Sequence, residues 1–180
     1  MKKKIPSIEL LKKWKTTGAV SFSSSFLVDK MIKDIDFAKA KVIVELGAGN
    51  GCITKKLLTH MRKDAVLISL EINEQFCAHL EKTIHDERLQ IICGDAVETL
   101  QNLGLQIDYI VSSIPFKVLS KKERTALIEA IKEASHSKTI FIQFSYFISM
   151  YSFLKENFKK VKIDFTPLNL PPAFVFKCAV

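Results

Sequence analysis

Seven consecutive residues, Glu45-Leu46-Gly47-Ala48-Gly49-Asn50-Gly51, constrain this chain more than any other stretch. They close a short apolar run, Val42 to Leu46, and lead directly into a segment with helical spacing, Cys52 to Met61. A strand that passes into a helix through alternating glycines lets backbone approach a ligand where a Cβ would collide. The helix start behind it offers N–H groups that have no intrahelical partner. A nucleotide-like ligand is the expectation. The dinucleotide fingerprint G-x-G-x-x-G would need glycine where Cys52 stands, and no G-K-[ST] follows to make a P-loop.

Past residue 40, short apolar runs alternate with helically spaced segments, the pattern of strands and helices around a parallel sheet. The runs are Val42 to Leu46, Val66 to Leu70, Leu89 to Cys93, Ile107 to Val111 and Thr139 to Phe144. Helices are expected near Cys52 to Met61, Glu74 to Ile84, Val97 to Leu103 and Lys122 to Ser135. A last pair of runs, Val161 to Phe165 and Phe174 to Val180, flanks a proline-bearing turn and reads as an antiparallel hairpin. The fold class is therefore α/β: a Rossmann-like, doubly wound, mostly parallel seven-stranded sheet with an antiparallel C-terminal hairpin and an N-terminal helical segment. At 180 residues and 48% hydrophobic, the chain suits one domain, with an arm over 1–30 and a core over 40–180. The sixteen-residue stretch from Thr139 to Leu154 is too short and too polar for a membrane span, and reads as a buried strand running into a helix.

Two more carboxylates fall at strand ends. Glu71 closes the second strand twenty residues after Gly51, the spacing at which an acid accepts from ribose hydroxyls, and Asp95 closes the third. With Glu45 they place three acids along one sheet edge, where open α/β folds bind ligands. The E-x-G-x-G-x-G spacing resembles the first motif of class I S-adenosylmethionine-dependent methyltransferases. That resemblance implies S-adenosyl-L-methionine as cofactor: Glu45 toward its ammonium end, Gly47, Gly49 and Gly51 along its methionine and ribose, Glu71 with Ile72 at the ribose, and Asp95 with Ala96 at the adenine.

The fourth strand ends Ser112-Ser113-Ile114-Pro115-Phe116. Ser113-x-Pro115-Phe116 resembles the [DNS]-x-P-[YFW] element of amino methyltransferases, which implies Ser113 as acceptor of a hydrogen bond from the target nitrogen and Phe116 as a ring covering the amine. No general base stands out, since His60, His79, His85 and His136 fall within or at the ends of helical segments. Lys117, Lys121, Lys122 and Arg124 follow, as candidates for phosphate recognition.

Charge is concentrated at the start. Of a net charge of +8, six lysines against Glu9 in the first fifteen residues supply +5. On a helix wheel Ile8, Leu10, Leu11 and Trp14 share an arc of roughly 160°, so this arm reads either as an ordinary amphipathic helix packed on the edge of the sheet or as an interfacial helix for an anionic membrane surface. Gly18-Ala19-Val20-Ser21-Phe22-Ser23-Ser24-Ser25-Phe26-Leu27, Ser113-Ile114-Pro115 and Asn169-Leu170-Pro171-Pro172-Ala173 resemble elements of bacterial phospholipid N-methyltransferases. Phe22, Ser25 and Ile114 depart from that family's usual residues. The resemblance implies methylation of a lipid headgroup amine such as that of phosphatidylethanolamine, with an ornithine lipid as an alternative acceptor.

Ser25-Phe26-Leu27-Val28-Asp29-Lys30 and Ser113-Ile114-Pro115-Phe116 also resemble elements of ribosomal RNA adenine dimethyltransferases, in which positions matching Ser25 and Leu27 touch cofactor. That family has an asparagine where Ser113 stands and a helical RNA-binding domain that is not expected after Val180. RNA methylation is the second reading, and a cofactor-binding scaffold without catalysis the third. The four cysteines, Cys52, Cys77, Cys93 and Cys178, show no metal spacing and read as free thiols in a reducing, cytoplasmic setting, with no metal expected. Oligomeric state is left open by the sequence.

Overall fold

Apolar runs and helical segments alternate through the chain as read, and the computed structural model, which describes residues 24–180, assembles them around one sheet. Chain order is α1 (Ser25–Ile32), β1 (Val42–Leu46), α2 (Cys52–His60), β2 (Val66–Glu71), α3 (Glu74–Thr83), β3 (Leu89–Cys93), α4 (Ala96–Asn102), β4 (Ile107–Ser112), a 3-10 turn (Phe116–Val118), α5 (Lys121–Glu133), β5 (Ser135–Ser145), α6 (Met150–Asn157), β6 (Lys160–Thr166) and β7 (Ala173–Ala179). The sheet order is β3-β2-β1-β4-β5-β7-β6. β1 to β5 run parallel, and β7 lies antiparallel between β5 and β6.

Side chains on the central strands are buried on both faces, so the strands read as continuous apolar runs. On one face Val44, Leu46, Ile68, Leu70, Ile110, Phe141 and Phe176 pack with Leu100 of α4, with Leu127, Ile128, Ala130 and Ile131 of α5, and with Leu154 of α6. On the other, Ile43, Leu67, Val111, Ile142 and Val175 pack with Leu27, Val28, Met31 and Ile32 of α1 and with Ile53, Leu57 and Leu58 of α2.

Helix starts follow local capping chemistry. Ser24 caps α1 through Leu27 N–H, Asn73 caps α3 through Phe76 N–H, and Ser120 with Glu123 forms a reciprocal capping box on α5. Periodicity in the sequence does not mark α1 as a discrete helix. Its eight residues bury one face against the hairpin strands and α2, a tertiary contact that local spacing over so few residues does not announce. The amphipathic segment at Ile8 to Lys15 lies outside the described residues.

Four expectations change. Phe116 is not poised over a ligand: it is 2% exposed and packed against Phe141 and Phe153, at ring-centroid distances of 6.3 and 6.4 Å. The turn after Pro115 points it back into the core. Leu27 is fully buried on the core side of α1, so its side chain contacts protein rather than cofactor. His136 lies in β5, which begins at Ser135 rather than Thr139. Cys77 of α3 and Cys93 of β3 are joined as a disulfide with Cα atoms 5.8 Å apart, while Cys52 and Cys178 are free. Sequence spacing does not show this pairing because α3 folds back onto β3.

Truncating Phe116 to alanine is therefore expected to cost about 3–5 kcal/mol of folding stability. Urea unfolding measures it; a loss below about 1 kcal/mol would contradict this packing.

Candidate active site

The glycine loop after β1 and the Ser113-Ile114-Pro115 loop after β4, called the transfer loop for its resemblance to the amino methyltransferase element, meet where the strand order reverses. β1 and β4 are parallel neighbours, with Leu46 opposite Ser112. The chain leaves β1 for α2 on one face and leaves β4 for α5 on the other, so a crevice opens beyond their carboxyl ends. Ser113 spans it. Its N–H donates to the carbonyl of Leu46 at 2.9 Å, and its Oγ donates to the carbonyl of Gly47 at 2.5 Å. With that proton committed, the lone pairs of Ser113 Oγ are left to accept.

The three glycines do different work. Gly51 heads α2 at φ +81°, and a Cβ there would stand 2.8 Å from both Leu80 Cδ2 and Ile84 Cδ1, so its constraint is packing against α3 and the segment after it. Gly47 would press on Ser113 Oγ and Ile114 Cγ1 at 3.3 Å. Gly49, at φ +57°, faces open space instead, so its backbone is left bare on that side.

Each strand-end acid is held in a distinct way. Glu71 Oε2 accepts from Gly49 N–H and its Oε1 from Asn73 N–H, both at 2.8 Å, so the carboxylate is fixed beside the loop. Gly94 N–H donates to the Glu71 carbonyl at 3.0 Å, which sets the next loop alongside. There Asp95 caps α4: its Oδ1 accepts from Val97 and Glu98 N–H. Both bonds fall on one oxygen, and the other is the one that suits a ligand amino group. Ile72 and Ala96, next to these acids in sequence, are half-buried.

Glu45 differs from the expectation for it. It is wholly buried between β1, β2 and α2, where the hydroxyls of Thr54 and Ser69 donate to its Oε2 at 2.7 and 2.6 Å. Its Oε1 is buried with no hydrogen-bond partner among the described residues. Burial outweighs those two bonds and, with repulsion from Glu71 added, pushes the carboxyl from 4.5 up to about 7. Ser25, at the start of α1, is exposed, and the preceding Ser24 N–H donates to Asn169 Oδ1 at 3.1 Å.

Two residues of this site, Ser69 and Gln143, are not singled out by sequence reasoning. Ser69 and Gln143 interrupt apolar strands, and a polar residue inside such a run is the signal that marks them. Gln143, 1% exposed, donates through Nε2 to the carbonyls of Ile114 and Phe144 at 3.1 and 2.6 Å, and so holds the transfer loop from behind. Asn169 is buried, and its Nδ2 donates to the Pro171 carbonyl at 2.7 Å. Of the basic residues after the transfer loop, Lys117, Lys121 and Lys122 are exposed, while Arg124 lies against the Phe153 ring. Among the described residues no cluster of His, Cys, Asp and Glu could hold a metal ion.

Comparison with known proteins gives the family and the fold. The family described as ribosomal RNA adenine dimethylase matches residues 15–136. An ornithine lipid N-methyltransferase of Singulisphaera acidiphila is 31% identical over 162 residues, covering 87% of this chain and 84% of that enzyme. An rRNA methyltransferase of Streptomyces thermotolerans is 32% identical over 99 residues, covering 51% of this chain and 31% of its own length. The fold is that of an O-methyltransferase from Bacillus cereus solved in complex with SAH, at TM-score 0.71 and 15% identity over 96% of this chain and 90% of that one.

Gly49→Ala should weaken cofactor binding more than it lowers stability, and Gly51→Ala the reverse; calorimetric titration beside urea unfolding separates them. For Glu45, the folded chain holds a proton that the unfolded chain releases above about 4.5. Its contribution is therefore complete below about 4.5 and declines as pH rises through about 7. Relative to Glu45→Gln, the wild type should lose about 3 kcal/mol of stability between about pH 4.5 and pH 8, because each tenfold difference in proton affinity between folded and unfolded chains is worth about 1.36 kcal/mol. A difference that stays flat with pH would mean the carboxyl is not buried in this way.

Proposed function

Since this chain belongs to the ribosomal RNA adenine dimethylase family of S-adenosylmethionine-dependent class I methyltransferases, we propose that it methylates the headgroup amine of a membrane lipid. The observation that carries this reading is the extent of the likeness to the ornithine lipid enzyme, which runs through 84% of that protein, whereas the rRNA enzyme from Streptomyces is matched over 31% of its length. The lipid reading also accounts for the Asn169 turn, which lies beyond the residues shared with the family as a whole and folds back on Ser24. Phosphatidylethanolamine and an ornithine lipid share a primary amine, and either suits a site that needs only to align a nitrogen.

The chain's own groups fit S-adenosylmethionine: bare backbone at Gly49, a fixed carboxylate at Glu71, a second at Asp95, and an unpartnered buried oxygen at Glu45. Bound there, the cofactor supplies an electrophilic methyl group on a positively charged sulfur. Ser113 Oγ accepts from the target N–H and so aims the nitrogen lone pair into the crevice, while Gln143 steadies the Ile114 carbonyl as a second acceptor beside it. Orientation of this kind accounts for much of the rate in a displacement that passes charge from sulfur to nitrogen. The amine enters neutral, and the proton of the product ammonium leaves to water, so a dedicated base is not required.

An adenine in ribosomal RNA is the second reading, favoured by the family match itself. Lipid extracts and ribosomal RNA, each incubated with methyl-labelled cofactor and separated, decide between them: label in a lipid band is the expected result, and label in RNA alone reverses the order. Ser113→Ala should lower turnover about 100-fold with cofactor affinity within about threefold of wild type. Unchanged turnover would remove Ser113 from the transfer step.

A further inference from the structure

Eight large apolar side chains stand exposed among the described residues, and five of them, Phe26, Phe147, Ile148, Leu168 and Leu170, gather at one end of the sheet. Strand register fixes their place. β5 pairs with β7 so that Ser145 lies opposite Phe174, and β6 pairs with β7 so that Thr166 lies opposite Ala173. The loop after Ser145 and the turn over 167–172 therefore leave the sheet at the same end. Because β1, β4 and β5 are parallel, it is also the end that carries Gly47 and Ser113. Phe26 joins this rim because Ser24, two residues earlier, is bonded to Asn169 within the turn.

The rim is too apolar to be ordinary surface. Phe147, Ile148 and Leu168 are 44%, 53% and 64% exposed, and exposed apolar residues gathered in one patch mark a site of interaction. Neither segment that forms the rim, 145–154 or 166–176, contains an Asp, Glu, Lys or Arg. Cations stand beside it instead. Lys117 Nζ lies 3.4 Å from the centroid of the Phe147 ring, and Lys121 and Lys122 are exposed in the first turn of α5. Uncharged aromatic and aliphatic tips flanked by lysines match the boundary between acyl chains and anionic headgroups, and the net charge of +8 has the complementary sign. An RNA-tracking surface would instead carry its cations along the contact itself.

We infer that this rim is the surface by which the protein docks on an anionic lipid bilayer, holding the transfer loop at the depth of the headgroups. The inference rests on the lipid reading of the acceptor and adds where the bilayer lies. No helix among the described residues is long and apolar enough to cross a membrane; the inferred contact is made by the exposed tips of the two loops and by Phe26 of α1.

The test uses the full chain and vesicles of phosphatidylethanolamine and phosphatidylglycerol in a sedimentation assay. A variant carrying Phe147→Ser, Ile148→Ser and Leu168→Ser should partition onto vesicles at least about tenfold more weakly than wild type. Leu105→Ser, which removes an exposed leucine at the opposite end of the sheet, should partition as wild type does. All three proteins should bind S-adenosylmethionine equally, which shows that the rim variant is folded. Equal partitioning of rim variant and wild type overturns the inference, as does a wild type that ignores vesicles. A wild-type dimer that the rim substitutions convert to monomer, or retention on RNA that they abolish, also overturns it. The two readings fail separately: vesicle binding through the rim without a methylated lipid product would refute the acceptor, and a methylated lipid without rim-dependent binding would refute the surface.

Discussion

Two neighbouring parallel strands that send the chain to opposite faces of a sheet cannot both be followed by well-packed backbone at the same place. β1 leads to α2 and β4 leads to α5, and the space between those departures is left uncovered by either crossover. The chemistry of this protein is arranged around that divergence. Ser113 closes its floor by donating to the Gly47 carbonyl, Glu71 anchors the glycine loop from the side of β2, and Gln143 braces the transfer loop from the side of β5. These side chains hold the loops through backbone atoms, and the burial of Glu71 and Gln143 restricts the rotamers that such long side chains would otherwise sample.

A buried acid lies directly against this arrangement. Glu45 brings a carboxyl into an apolar layer with one oxygen satisfied twice and the other not at all. Such a group costs stability and would be replaced to advantage by an apolar residue of similar volume if packing were its only duty. It lies under the glycine loop, and the orphan acceptor Oε1 of Gln143 lies behind the transfer loop, so both walls of the crevice carry a buried oxygen without a partner among the described residues. The disulfide between Cys77 and Cys93 reinforces the same edge by tying α3 to the strand that presents Asp95.

The sheet and its glycine loop are legible in the sequence because they rest on local signals: continuous β-branched runs, a change to helical spacing, and glycines where left-handed backbone is required. Strand limits can be read to within a residue or two except at β5, where His136 and Lys138 disguise a strand whose pairing with β4 resumes beyond an irregularity. Harder to read is the direction in which a side chain points after a turn. Phe116 follows a proline in a pattern that reads as a ligand-facing aromatic, yet the 3-10 turn sends its ring inward. Leu27 belongs to a short helix whose core-facing side is set by the hairpin strands and α2. Cys77 and Cys93 meet only after α3 has folded back onto β3. In each instance the deciding contact is tertiary, and no spacing within the segment encodes it.

The bond between Ser24 and Asn169 bears on how the molecule is built in time. These residues are separated by 145 positions, and the ion pairs of Lys33 with Asp164 and of Asp34 with Lys177 likewise fasten the segment after α1 to the final two strands. On a chain made from its N-terminus, Ser24, Lys33 and Asp34 are synthesised long before Asn169, Asp164 and Lys177, so these cross-links can close only once the last two strands exist.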